Sequence, residues 1–196
     1  MKKGLMLLGC LFLLLLSSCK TQETVMDTES TLYIKQDGKI ESLVVEEFPE
    51  DQYSAEELQS RSQEIIDLYN QDHGNGAVHL NSCEVRDGYA YVDILYRSAD
   101  DYAKFNRVEL FYGTVGEGLE KGYGKKTTLK NAYGTNMLSG DAIADLSSYH
   151  MLVVSEPLQI RTEEAVLYYS ANLEHIDDRT VRVSSESNGE AILIVK

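Results

Sequence analysis

Short stretches in which apolar and polar residues alternate make up most of the chain from Thr31 onward, and this period of two predicts β-strands. Pairs of such stretches flank dipeptides that favour tight turns, at Asp37-Gly38, Asp87-Gly88 and Asn188-Gly189. We therefore expect three β-hairpins, which are spaced too unevenly along the chain to form a repeat array.

The last stretch, Ala191 to Val195, departs from this alternation because every residue in it is apolar. A strand with one face in water alternates, whereas a strand that is buried on both faces does not. The sequence therefore predicts a central strand here, paired with the preceding stretch through the turn at Asn188-Gly189.

Helical spacing replaces the alternation after the first hairpin. Ser54 and Glu57 have the spacing of a capping box, and Gly74 and Gly76 end the pattern. The positions that repeat at helical spacing between them are Leu58, Ser62, Ile65, Ile66 and Tyr69. The sequence predicts one long helix in this segment.

Together these patterns predict an α+β fold. We expect mainly antiparallel β-sheet built from hairpins, with the one long helix packed on it and short helices near residues 99–104 and 140–146. No long Pro-, Gly- or Ser-rich linker interrupts residues 31–196, so we predict a single domain in this range.

The N-terminus has the order of a secretory signal. Lys2 and Lys3 precede an apolar run of 12 residues from Leu5 to Leu16, and the small residues Ser17 and Ser18 follow. A helix that spans a bilayer needs about 20 apolar residues. We therefore expect a cleaved signal peptide and not a permanent membrane span.

The end of this segment, Leu16-Ser17-Ser18-Cys19, resembles the lipobox of bacterial lipoproteins. The resemblance implies that a diacylglyceryl group is added to the thiol of Cys19 and that cleavage before Cys19 removes residues 1–18 as the signal peptide. An ordinary secretory cut beside an unrelated cysteine is the alternative. Residues 20–30 are polar and aperiodic, so residues 19–30 are expected to form a lipidated N-terminus and flexible tether.

A second resemblance lies in the body of the chain. The segment AVLYYSANLEHIDDRTVRVS is similar to uncharacterised lipoproteins of gut Firmicutes. This resemblance implies no catalytic or binding residue. In a Gram-negative host, Lys20 after the lipidated cysteine would resemble the signal for the outer membrane.

Charge and cysteine content narrow the classes of function. Without residues 1–18 the chain keeps 16 basic and 32 acidic side chains, a formal net charge of −16. A surface this acidic repels nucleic acid. Cys10 leaves with the signal and Cys19 carries the lipid, so Cys83 has no cysteine with which to form an intrachain disulfide.

The run from Gly113 to Thr127 contains five glycines and three lysines and raises the question of a phosphate-binding loop. A P-loop requires Ser or Thr after its Gly-Lys pair, but Lys126 follows Gly124-Lys125. We interpret the run as a mobile surface loop or as a contact for an anionic partner. The candidate contact residues are Lys121, Lys125, Lys126 and Lys130.

Other site chemistries find little support, and we predict no metal site, no cofactor and no catalytic residue. The four histidines form no H-E-x-x-H motif, and His73 is better placed to bind the last carbonyl groups of the long helix. His175 with Asp177 and Asp178 is expected to form a solvated turn. In a regular strand, His79 and Cys83 would share a face roughly 13 Å apart, too far for a catalytic pair.

Tyrosine is abundant, with 13 residues, whereas tryptophan is absent. A row of exposed rings could stack on sugars, but tyrosines on strands more often fill the edges of a core and leave the hydroxyl in water. We expect the second arrangement.

These observations predict a lipid-anchored module on the outer face of a bacterial membrane, held there by the lipid on Cys19. Its expected role is binding, with an envelope protein or an anionic wall polymer as partner, and we do not expect an enzyme. An extracytoplasmic hydrolase and a structural partner of an envelope complex are the alternatives.

Overall fold

The computed structural model describes residues 28–49, 53–184 and 189–196. The predicted signal peptide, the lipobox with Cys19 and most of the tether lie outside the described residues, as does Asn188.

The described residues form thirteen strands and four helices. The strands are β1 (Thr31–Ile34), β2 (Ile40–Glu47), β3 (Val78–Arg86), β4 (Tyr89–Tyr96), β5 (Leu110–Thr114), β6 (Thr128–Asn131), β7 (Met137–Ser139), β8 (His150–Val154), β9 (Gln159–Thr162), β10 (Val166–Ser170), β11 (Leu173–Asp177), β12 (Thr180–Val183) and β13 (Ala191–Val195). The helices are α1 (Ala55–His73), α2 (Ala99–Asn106), α3 (Val115–Lys121) and α4 (Asp141–Ala144).

The strands pair into two sheets. Sheet A has seven strands in the order β11-β12-β9-β1-β2-β4-β3, and sheet B has six in the order β5-β8-β13-β10-β6-β7. All of these pairs are antiparallel except β1 with β9. The predicted α+β class with mainly antiparallel strands is therefore confirmed.

The first two predicted hairpins are also confirmed. β1 pairs with β2 around Asp37-Gly38, and β3 pairs with β4 around Asp87-Gly88. Asp87 and Gly88 have φ angles of 53° and 77°, the left-handed values that a two-residue hairpin turn requires and that these residue types tolerate.

Two apolar clusters divide the interior. The larger lies between the sheets and includes Leu32 and Ile94 of sheet A, Leu193 of sheet B and Ile66 of α1. The smaller lies on the far side of sheet B, where Val115 of α3 and Ile143 of α4 belong to the same cluster as side chains of β6, β8 and β13. The strands β8 and β13 of sheet B are thus buried on both faces.

This arrangement explains why β13 does not alternate. Leu193 and Val195 face the larger cluster, Ile192 and Ile194 face the smaller one, and all five residues are buried. β13 lies between β8 and β10 inside sheet B, so the predicted central position is confirmed.

The third predicted hairpin is wrong. β12 belongs to sheet A, where it pairs with β9 and β11, whereas β13 belongs to sheet B. The dipeptide Asn188-Gly189 favours a turn between neighbouring segments of the chain. However, β12 and β13 bury different apolar surfaces, and they therefore join different sheets.

The picture of one sheet with one long helix is also too simple. The described part of the chain has two sheets, and its helical residues are distributed among four helices, of which α1 has 19 residues and α4 has four. α1 buries only Ile66 completely, and most of its N-terminal half is exposed.

The glycine-rich run is not simply a mobile loop, because residues 115–121 form α3. Thr114 and Glu117 make a full capping box at its start. A Cβ on Gly118 would lie 2.5 Å from Sδ of Met151, so this glycine allows α3 to approach β8 closely. Gly122 and Gly124 have φ angles of 103° and 73°, which explains glycine at both positions after the helix.

Candidate functional site

One face of sheet A carries the most distinctive surface of the described residues. Leu32, Ile34 and Ile40 point into the larger apolar cluster. The positions that alternate with them, such as Tyr33 and Glu41, are half-buried and belong to neither cluster. We call this second side the open face of sheet A.

Strand register aligns four different side chains across this face. Arg161 of β9 is paired with Tyr33 of β1, Tyr33 with Glu41 of β2, and Glu41 with Leu95 of β4. We call these four residues the cross-strand row. Neighbouring strands are about 4.8 Å apart, so the Cα atoms of Arg161 and Glu41 are separated by roughly 10 Å, with Tyr33 between them.

Two cations lie near the ring of Tyr33. Cζ of Arg161 is 5.7 Å and Nζ of Lys35 is 5.8 Å from the ring centroid, both within the range of a cation–π interaction. Nζ of Lys35 also forms a 2.7 Å ion pair with Oε2 of Glu41. Contacts therefore connect three side chains of the row: Arg161 lies near Tyr33, and Lys35 connects Tyr33 to Glu41.

The cross-strand row borders two adjoining depressions that we call together the sheet A cleft. One, of about 720 Å³, is lined by Lys35, Gln36, Asp37, Lys39, Glu41, Asn81, Leu95 and Glu163. The other, of about 400 Å³, is lined by Tyr33, Ile34, Lys35, Arg161, Thr162, Glu163, Asp177, Arg179 and Thr180. Five of the eight side chains around the larger depression are exposed, so the cleft is shallow and open to water.

At one end of the cleft Glu41 lines the larger depression, and the carboxyl group of Asp93 on β4 lies beside it without lining the cleft itself. Burial raises the pKa of Asp93, and the charge of Glu41 and a hydrogen bond between the two carboxyl groups raise it further. Nδ2 of Asn81 donates a 3.2 Å hydrogen bond to Asp93 and opposes this rise. The hydrogen bond to Glu41 raises the pKa of Lys35, which stays positively charged beside the pair.

The other end of the cleft has a small excess of basic side chains. It is lined by Lys35, Arg161 and Arg179 together with Glu163 and Asp177, and Arg179 is exposed in the turn between β11 and β12. The backbone N–H of Arg179 donates a 2.8 Å hydrogen bond to Asp177, which lowers the pKa of that carboxyl group, and the charge of Arg161 lowers it further.

The four predicted lysines do not form one compact patch. Lys121 ends α3 with Nζ 5.8 Å from the ring centroid of Phe111, and Lys125 and Lys126 are exposed in the turn that follows. Lys130 lies on β6 beside the buried Leu129, and strand alternation directs the two to opposite faces of sheet B. Lys130 is thus separated from the α3 side by the sheet.

The histidines and Cys83 have structural surroundings. Nδ1 of His73 lies 3.0 Å from the carbonyl oxygen of Tyr69, as expected for a residue at the end of the helix. His79 and Cys83 do not share a face, contrary to our expectation, because a bulge at Asn81 inserts one residue between them. Burial raises the pKa of the Cys83 thiol, so the thiol is poorly reactive.

His175 and Asp177 both lie in the strand β11, so the turn begins only at Asp178, later than expected. The ring of His175 stacks on that of Tyr169 with 5.5 Å between the ring centroids, and its buried Nε2 has no hydrogen-bond partner. Within the described ranges, no group of three or more His, Cys, Asp or Glu side chains is arranged to hold a metal ion.

Similarity to known proteins adds nothing to these observations. No protein-family model matches the chain, and no curated protein or solved structure is significantly similar to it. Among the residues described, no helix is long and apolar enough to cross a membrane.

Sequence inspection missed the cross-strand row. Its members are separated by up to 128 positions along the chain, as are Tyr33 and Arg161. Alternation marks each of them as facing away from the core, but only the pairing of β1 with β9 and β2 brings them together.

Proposed function

We propose that the protein is a lipid-anchored, extracytoplasmic binding module whose ligand lies on the open face of sheet A. The cross-strand row carries this proposal. It combines a guanidinium group, an aromatic ring and a carboxylate on a shallow cleft, and such convergent polar groups around an aromatic ring are typical of ligand sites.

The position of the tether is compatible with this role. The lipid on Cys19 would be joined to the body through Thr31 at one end of β1, whereas Lys35 and the cleft lie at the other end. Four residues of extended chain separate these ends by about 13 Å. The anchor would therefore leave the cleft open to the surroundings of the cell.

Binding is better supported than hydrolysis. In glycoside hydrolases the two catalytic carboxyl groups are about 5–9.5 Å apart, so that a sugar or water fits between them. Asp93 and Glu41 are in hydrogen-bond contact with each other and lie on an open surface. Two carboxyl groups this close together are better suited to binding one group of a ligand jointly than to cleaving a bond between them.

A purely structural role in an envelope complex has less support. Such a role is typical of proteins with a large exposed apolar patch. The large apolar side chains that are exposed here are divided among a helix, several strands and a turn; they are Val44, Tyr53, Ile65, Leu68, Tyr89, Tyr133, Met137 and Ile176.

The anchor is tested by mass spectrometry of the N-terminus after expression in bacteria. We expect a mature chain that begins at a diacylated Cys19 and enters the membrane fraction. Cys19→Ala should carry no lipid and leave that fraction. An unmodified Cys19 in the wild-type protein would rule out lipid anchoring.

The binding surface is tested separately with purified bacterial cell-wall material. We expect the lipidated protein, in detergent micelles, to sediment with this material and Tyr33→Ala to lose most of the binding. Tyr133→Ala is the matched control, because Tyr133 is 85% exposed and lies outside the cleft. Equal binding by the two variants would rule out this surface, and no binding by the wild type would count against the proposed function.

A further inference from the structure

Both depressions of the sheet A cleft are lined by charged side chains of both signs, with one more acid than base in the larger depression and one more base than acid in the smaller. Asp93 and Glu41 provide carboxyl groups on the side of β2 and β4. Arg161 and Arg179 provide guanidinium groups on the side of β9 and the turn before β12. Tyr33 lies between the two ends, so a ligand that crosses the strands meets an anionic site, an aromatic ring and a cationic site in sequence.

The distance between the two ends sets the length of such a ligand. Arg161 and Glu41 are two strand spacings apart, roughly 10 Å between Cα atoms. An extended peptide spans about 3.3–3.6 Å per residue. The terminal ammonium and carboxylate of a tripeptide are therefore separated by about the same distance as the two ends of the cleft.

We propose that the cleft binds a short extended peptide that carries a free ammonium group and a free carboxylate about 10 Å apart. The ammonium group lies against Glu41 beside Asp93, the carboxylate lies against Arg161 and Arg179, and the peptide backbone crosses the ring of Tyr33. This inference rests on the proposed function and specifies the ligand class of the same surface.

Binding of the ammonium group depends on the charge of Asp93. Protonation of this carboxyl group, which its raised pKa moves to higher pH, removes a negative charge beside the ligand ammonium. The groups around Asp93 are Lys35 just after β1, Glu41 on β2 and Asn81 on β3, and Glu163 adds a further negative charge near Lys35. His79 is paired with Leu95, the neighbour of Glu41 in the row. Affinity should therefore rise with pH as Asp93 loses its proton.

Calorimetry with alanine peptides tests the ligand chemistry. The titrant is tri-alanine, added to the lipidated full-length protein in detergent micelles. N-acetyl-tri-alanine and tri-alanine amide each remove one terminal charge, and di-alanine and penta-alanine change the separation. We expect tri-alanine to bind best and each cap to weaken binding by about tenfold, because it removes a charge-assisted contact.

The pH dependence of binding identifies the anionic end. Titrations at several pH values should show affinity that falls as the pH is lowered in the wild type and depends less on pH in Asp93→Asn. Glu84→Gln is the matched control, because Glu84 is an exposed acid on neighbouring β3 that pairs with Arg86 and is not among the groups that act on Asp93. The control should bind like the wild type, and thermal unfolding establishes that both variants are folded.

The outcomes separate this inference from the proposed function. Equal binding of capped and free peptides, no binding of tri-alanine, or unchanged binding by a folded Asp93→Asn would overturn the peptide ligand. If cell-wall material still requires Tyr33 in that case, the surface is a binding site for other chemistry and only the inference fails. If the wall material does not bind either, the proposed function fails with it.

Discussion

The phenolic hydroxyl of Tyr102 donates a 3.0 Å hydrogen bond to Oε2 of Glu156. Tyr102 lies on α2 and is almost fully buried, whereas Glu156 follows β8 and is half-buried. Burial raises the pKa of Glu156, and the donated hydrogen bond opposes that rise by stabilising the carboxylate. The hydrogen bond thus joins α2 to the segment that follows β8 of sheet B. The partly buried carboxylate of Glu156 is stabilised by the Tyr102 hydroxyl.

Removing this donor should destabilise the protein in a pH-dependent way. Tyr102→Phe leaves the Glu156 carboxylate partly buried without its phenol partner, which should lower the free energy of unfolding by about 1–3 kcal/mol at pH 7. At pH 4 the carboxyl group is mostly protonated, so the loss should be smaller. Urea unfolding at pH 7 and at pH 4 measures the loss of stability at each pH. The control is Tyr133→Phe, because Tyr133 is exposed. An equal loss at both pH values would contradict the role of the charge.

Alkaline pH should unfold the protein through its buried tyrosines. Burial raises the pKa of Tyr96 to about 12 and raises that of Tyr102 further, whereas an unfolded tyrosine has a pKa of about 10. The folded state therefore keeps protons that the unfolded state loses, and stability must fall as pH rises above about 10. Unfolding experiments at pH 9 and pH 11 that follow tyrosine ionisation by absorbance at 295 nm should show these phenols ionising only as the chain unfolds. Their ionisation in a folded chain near pH 10 would contradict the burial.

Two glycines of α3 should respond oppositely to the same substitution. A Cβ on Gly118 would lie 2.5 Å from Sδ of Met151 and 3.2 Å from Phe111, so Gly118→Ala should cost about 1–3 kcal/mol. The nearest atom to a Cβ on Gly116 is 3.5 Å away, so Gly116→Ala should be neutral or stabilise the helix by up to about 1 kcal/mol. Denaturant midpoints of the two variants test the close approach of α3. A Gly118→Ala variant as stable as Gly116→Ala would contradict it.

The lysine turn after α3 should contribute to contact with anionic polymers. Lys125 and Lys126 are exposed, and two such contacts at about 0.2–1 kcal/mol each correspond to roughly a two- to thirtyfold change in affinity. Lys125→Glu/Lys126→Glu should weaken binding to wall polymers at low salt by at least the lower figure, and the difference should shrink at physiological salt.

A charge-matched double variant, Arg61→Glu/Lys196→Glu, makes the same change in net charge at two other exposed positions. Binding that falls equally in both double variants would show that total charge, and not this turn, attracts the polymer.

Local chemistry alone predicted much of the fold. Asp87-Gly88 selects a hairpin because its residues tolerate left-handed backbone, and Ser54 begins α1 because its hydroxyl accepts from the N–H of Glu57, 3.1 Å away. The apolar composition of β13 marked its burial before its neighbours were known. Each of these features depends on residues within a few positions, so the sequence by itself determined them.

Long-range packing decided the rest. The parallel pairing of β1 with β9 joins segments 128 positions apart, and it places Arg161 beside Tyr33 on the open face. The same packing places β12 and β13 in different sheets, although the turn dipeptide Asn188-Gly189 lies between them in the sequence. A turn motif acts only on its neighbours, whereas the sheet that a strand joins depends on which apolar surfaces become covered. The candidate site belongs to this second class, since its cross-strand row joins residues of β9, β1, β2 and β4.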